Sequence, residues 1–80
     1  MSKVTIDDLR GLLASSLPDP VLVLTGGRLR IEPADAETAG ASDVITRADL
    51  RARLDGEEAT DRELDLIAAT LTTAIVQRGG

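Results

Sequence analysis

Hydrophobic residues recur along this chain first at helical spacing, then in alternation, then at helical spacing twice more. Ile6, Leu9, Leu12, Leu13 and Leu17 make one apolar stripe with a period of three to four, which predicts a first helix over roughly Ile6–Ser16. Gly11 weakens its middle, and Pro18 and Pro20 stop it and impose an extended entry into the next segment. A short second helix, Arg47–Leu54, offers only Leu50 and Leu54 inward and is closed by Asp55-Gly56. Leu64, Ile67, Ala68, Leu71, Ala74 and Ile75 hold the helical period without a break and predict the longest element, Asp61–Gln77. The β-branched Thr70, Thr72, Thr73 and Val76 lower its intrinsic propensity. A strand near Leu71 to Gln77 is the competing reading, but Leu66 and Ile67 side by side spoil a long alternation.

Each predicted helix begins with the same chemistry. Thr-x-x-Asp-Leu-Arg-x-x-Leu occurs at Thr5–Leu13 and again at Thr46–Leu54, with a looser copy from Thr60. The threonine is an N-cap, and Asp8, Asp49 or Glu63 three residues on can reach back as in a capping box, Glu63 having the better length for it. Val4 and Ile45 precede the first two caps and stand at staple spacing from Leu9 and Leu50. Shared capping chemistry explains the repeat without a duplicated unit.

Between the first two helices lies Val21-Leu-Val-Leu-Thr25, then Gly26-Gly27, then Arg28-Leu-Arg-Ile-Glu32. Two glycines between alternating runs predict a hairpin closed by a two-residue primed turn. In that register Leu24 faces Leu29 and Leu22 faces Ile31, giving one apolar face, while Val21, Val23, Thr25, Arg28, Arg30 and Glu32 form the other. The first strand is apolar on both sides, as expected of a strand with a neighbour or cover on each. A lone hairpin is marginal, so a further strand is required. It comes either from Lys3–Thr5 or, as the preferred reading, from a second chain. Residues 33–43 are small and polar and are expected to form a flexible connection, and 78–80 a tail.

Composition narrows the function more than the pattern does. The 80 residues, read as one small domain, contain no His, Cys, Phe, Trp or Tyr. That removes the usual general base, the nitrogen and sulfur metal ligands, the thiol nucleophile and the rings on which bases stack. No catalytic residue, cofactor or metal is expected. Asp7-Asp8, Glu57-Glu58 and Asp61-Asp65 are carboxylate pairs that read as solvated charge. Ser15 and Ser16 lack a His partner, and Gly26-Gly27 lacks the rest of a phosphate loop.

A core built nearly wholly from Val, Leu and Ile, with no aromatic ring, is small, and self-association is the natural remedy. The formal charge of −5 disfavours a dedicated nucleic-acid binder. The N-terminus has no apolar run, and the longest uncharged stretch, Leu66–Gln77, is too short to span a bilayer, so a cytoplasmic protein with no membrane contact is expected.

Four resemblances bear on function. Ile45 to Leu71, with two capped helices, resembles the helix–linker–helix stretch between EF-hands. The upstream positions that would bind calcium fall on Thr38, Gly40 and Ser42, which lack carboxylates. Gly79-Gly80 after Gln77-Arg78 looks like the tail of ubiquitin-like and sulfur-carrier proteins, which implies an activated terminal carboxylate. A helix C-terminus released by glycines is the structural alternative. The order helix, hairpin, two helices resembles the Phd/YefM antitoxin-type repressors, which implies a dimer reading DNA, with Arg28, Arg30, Arg47, Arg51 and Arg53 as its basic surface. From Val21 onward the order is also similar to winged-helix peptide-binding domains, in which a strand edge captures a leader peptide.

The sequence thus predicts an α+β fold with an N-terminal helix, a β-hairpin and two helices packed on it, the sheet completed by a second chain. The expected role is a non-catalytic interaction or regulatory module, a homodimer or a partner of another protein, acting through Val21, Val23, Arg28 and Arg30. The antitoxin-like repressor and the Gly79-Gly80 carrier are the alternatives.

Overall fold

The computed structural model describes residues 3–36, 41–54 and 59–77. Its elements run α1 (Ile6–Ala14), β1 (Pro20–Thr25), β2 (Arg28–Pro33), β3 (Ser42–Thr46), α2 (Arg47–Leu54) and α3 (Asp61–Gln77), an α+β layout. The strands form one antiparallel sheet in the order β2-β1-β3.

The helix starts form where the sequence places them. The Asp8 N–H donates to the Thr5 hydroxyl at 3.2 Å and the Asp8 carboxylate accepts from the Thr5 N–H at 2.9 Å, a closed capping box. At the other two starts the Asp49 N–H donates to the Thr46 hydroxyl and the Glu63 N–H to that of Thr60. The two-way box therefore closes on the shorter aspartate at Thr5, where the expectation favours Glu63. The extended N-cap backbone of Thr5 (φ −115°, ψ 166°) brings its own N–H within reach of a short arm.

Helix α1 stops before the expected Ser16. Ser15 turns to an extended conformation (φ −63°, ψ 137°), and its hydroxyl accepts from the Leu17 N–H. Leu17 thus leaves the apolar stripe and is 37% exposed. At Gly11 the helix runs so close to the sheet that an added Cβ would lie 3.2 Å from the Ile31 Cδ1. The glycine that weakens the helix also lets it approach β2.

The hairpin has the expected register, Leu24 opposite Leu29 and Leu22 opposite Ile31, closed by Gly26 (φ 56°) and Gly27 (φ 76°). Positive φ at both turn positions is the primed geometry that glycine admits without strain.

The neighbour of β1 on its other side is β3, a strand of the same chain that the sequence reading did not include. The register slips by one between Leu22–Ile45 and Val23–Asp43, leaving Val44 as the extra residue of a bulge. The slip lets Val44 as well as Ile45 pack toward the core. Thr46 ends the strand and caps α2, so strand passes into helix with no loop. Both ends of the supposed connection 33–43 are consequently sheet, Pro33 in β2 and Ser42-Asp43 in β3.

The core lies between the helices and one face of the sheet. Val4, Leu9, Leu12, Leu22, Ile45, Leu50, Leu54, Leu64, Ala68, Leu71 and Ile75 form it, flanked by Leu24, Leu29 and Ile31. Helix α1 touches β1, β2, α2 and α3, whereas α3 packs chiefly on α1 and so forms an outer layer. Among the described residues no helix is long and apolar enough to cross a membrane.

Candidate functional site

The hairpin carries all four residues that the sequence singles out in the folded part of the chain, and the structure divides them into two kinds. Val21 and Val23 lie on the central strand, outside the main core cluster, and each is 4% exposed. Their cross-strand neighbours are Glu32 and Thr46 for Val21, and Arg30 and Asp43 for Val23. The expected exposed apolar surplus on β1 is therefore absent, because a third strand of the same chain flanks these valines on the side the sequence left open. Arg28 and Arg30 are exposed on β2, on the face away from the helices.

This hairpin geometry determines which backbone groups are open. In a hairpin with a two-residue turn the closing pair, here Thr25 and Arg28, exchanges hydrogen bonds, and bonded and non-bonded pairs then alternate. Arg30 and Glu32 bond to β1, so Leu29 and Ile31 direct their N–H and C=O groups to the far edge, where no strand pairs with β2 among the described residues. Their side chains are half-buried against the core, which holds that edge in place. Pro33, with no N–H, ends the strand.

The other arginines lie elsewhere. Arg47 and Arg51 line a groove of about 350 Å³ with Asp19, Pro20, Thr46 and Ala48, beside the end of the sheet opposite the Gly26-Gly27 turn. One Arg47 Nη donates to the Ser15 carbonyl at 2.9 Å, which ties α2 to the end of α1. Asp19, in the left-handed region at φ 45°, accepts from the Ala34 N–H at 3.0 Å and so joins the entry of β1 to the exit of β2. Arg28, at the turn end of β2, and Arg47, at the far end of the sheet, do not share a patch.

A second hollow, of about 560 Å³, is lined by Lys3, Thr5, Asp7, Arg10, Asp61 and Asp65. Arg10 pairs there with Asp61 across α1 and α3, both side chains well exposed. Such a pair in water contributes little to stability and marks no chemistry. Asp8 is committed to the cap of α1, and among the described residues no group of three metal-capable side chains converges. The pair Glu57-Glu58 and the tail residues Gly79 and Gly80 lie outside the described residues.

The surface feature that sequence reasoning missed is on α3. Leu66 is 58% and Val76 48% exposed, and Ala69, Thr70 and Thr73 are exposed between them. The uncharged run from Leu66 to Gln77 was its signal, legible as one outward helix face once the core positions of α3 are assigned.

No protein-family model, curated protein or solved structure matches the chain.

Proposed function

We propose that the chain is a non-catalytic protein-interaction module that takes an extended, acidic segment of another protein onto the free edge of β2. The observation that supports this reading is the edge itself. β1 is paired on both sides, and β2 on one side only among the described residues. An added strand finds main-chain partners at Leu29 and Ile31, the mode by which sheet edges capture peptides. Arg28 and Arg30 stand beside those groups on the face away from the helices, so alternate carboxylates of an incoming strand meet opposite charge.

Charged edges also deter indiscriminate strand pairing. Arg28 and Arg30 are the fully exposed charges on that face of β2, Glu32 beside Ile31 being half-buried, so in a chain of net charge −5 the edge favours acidic segments over basic ones. The sequence expectation of a hairpin surface is kept, with Arg28 and Arg30, and moves from β1 to β2. A cytoplasmic setting fits a chain with no cysteine to exploit an oxidising compartment.

Fluorescence anisotropy with a labelled alternating Val-Glu octapeptide, and an alternating Val-Lys octapeptide as control, tests the reading. The wild-type chain should bind the first and not the second. R28E/R30E should lose about tenfold or more in affinity for the acidic peptide, and wild-type binding should weaken as salt rises. Equal binding by the variant, or none by the wild type, overturns it.

A further inference from the structure

The groove beside the entry of β1 gathers charges that the fold itself does not use. Arg47 and Arg51 stand four residues apart on α2, and both line it. Like charges at that spacing repel, and Arg47 in the first turn also opposes the helix dipole, so neither is placed for the benefit of its helix. Among the described residues no carboxylate pairs with either guanidinium. Arg47 is half-buried, and its bond to the Ser15 carbonyl fixes its position. The third charged residue of the lining is Asp19. It holds the left-handed region at φ 45°, a costly conformation for a residue that precedes proline, and its carbonyl is tied to the Ala34 N–H at 3.0 Å. Pro20, Ala34 and Ala48 supply apolar lining.

We propose that this groove binds a small organic molecule that carries a single carboxylate on an apolar body. Two guanidiniums against one aspartate leave the lining with one positive charge in excess. That matches a monoanion and disfavours a phosphate dianion, whose second charge Asp19 opposes. Guanidiniums take carboxylate oxygens in a planar geometry through paired hydrogen bonds, and the apolar residues then cover the rest of the molecule. At about 350 Å³ the groove holds about a dozen non-hydrogen atoms, each taken at roughly the volume of a water molecule in the liquid. Arg47 and the backbone of Asp19 are already held by other elements, so binding orders little more of the chain. The site is separate from the β2 edge and needs nothing bound there.

Titration of the full chain with 4-phenylbutyrate, a carboxylate of that size, followed by backbone amide chemical shifts, tests the site. Its neutral amide, 4-phenylbutanamide, and inorganic phosphate are the controls. The carboxylate should bind with a Kd of about 1 mM or lower and move the amides of Ala34, Ala48 and Arg51. Each control should bind about fivefold more weakly or worse. Two exposed positions should respond with opposite sign at unchanged far-UV circular dichroism. R51Q should weaken binding by about fivefold or more, and D19N should strengthen it, since Asn also tolerates the left-handed region and removes the opposing charge. R28E/R30E should bind the carboxylate as the wild type does, which separates this site from the peptide edge. No saturable shift in the wild type, equal binding of the amide or of phosphate, an unaffected R51Q, a D19N that fails to strengthen binding, or a loss in R28E/R30E would each overturn the proposal.

Discussion

The backbone N–H of Val4 donates to the hydroxyl of Thr72 at 3.0 Å, and that hydroxyl donates in turn to the Ala68 carbonyl at 2.9 Å. One side chain thereby fastens the residue ahead of the first helix to the last helix. Val4 is 1% exposed, so its N–H has no ready substitute in water. Thr72→Val keeps the shape and removes the acceptor, and should lower stability by about 1–3 kcal/mol in urea unfolding. Thr72→Ser should retain most of it. Equal losses in the two variants would assign the effect to packing.

The box at the start of α1 is reciprocal, so its two members should not behave independently. Thr5→Ala and Asp8→Ala should each destabilise by about 1 kcal/mol, and the double variant by less than the sum. A strictly additive cycle would show that the two arms act separately.

Turn chemistry can be tested at the glycines. Gly26 and Gly27 both have positive φ, and an added Cβ at either meets nothing within 4 Å. Strain alone then decides the outcome. Gly26→Asn should be neutral or stabilising, because Asn-Gly suits a primed turn and restricts the unfolded chain. Gly27→Val should destabilise by about 1–2 kcal/mol, since a β-branched residue resists that region.

Val23 separates the two pictures of the hairpin. Were it an exposed contact residue, Val23→Asp would change association and leave folding intact. At 4% exposure in the central strand, it should instead cost about 3 kcal/mol or more of stability. Thermal unfolding of the variant at low concentration decides between them.

How much of this was legible depends on which signals are local. Caps and spacing are local, so the bounds of α2 and α3 and the hairpin register agree with the sequence reading. Strand β3 was not legible, because Ser42-Asp43 has low strand propensity, the run is short, and Val44-Ile45 breaks alternation through a bulge that only pairing with β1 explains. That strand accounts for the double-sided apolar character of β1, which the sequence assigned to a second chain. The candidate site shifted for the same reason. Arg28 and Arg30 are exposed as expected, while Val21 and Val23 became interior once β1 acquired its second neighbour. The α3 face was hidden in the count of uncharged residues, since Thr70 and Thr73 look polar until their hydroxyls are seen to bond backward.

Amide hydrogen exchange at Leu29 and Ile31 tests the central claim, an open β2 edge that receives a strand, most directly. In the free chain both amides should exchange rapidly beside the protected amides of Val23 and Arg30, which bond within the hairpin. Saturation with the Val-Glu peptide should slow both by about tenfold or more. Slow exchange at Leu29 and Ile31 in the free chain, or no change when the peptide is bound, would contradict it.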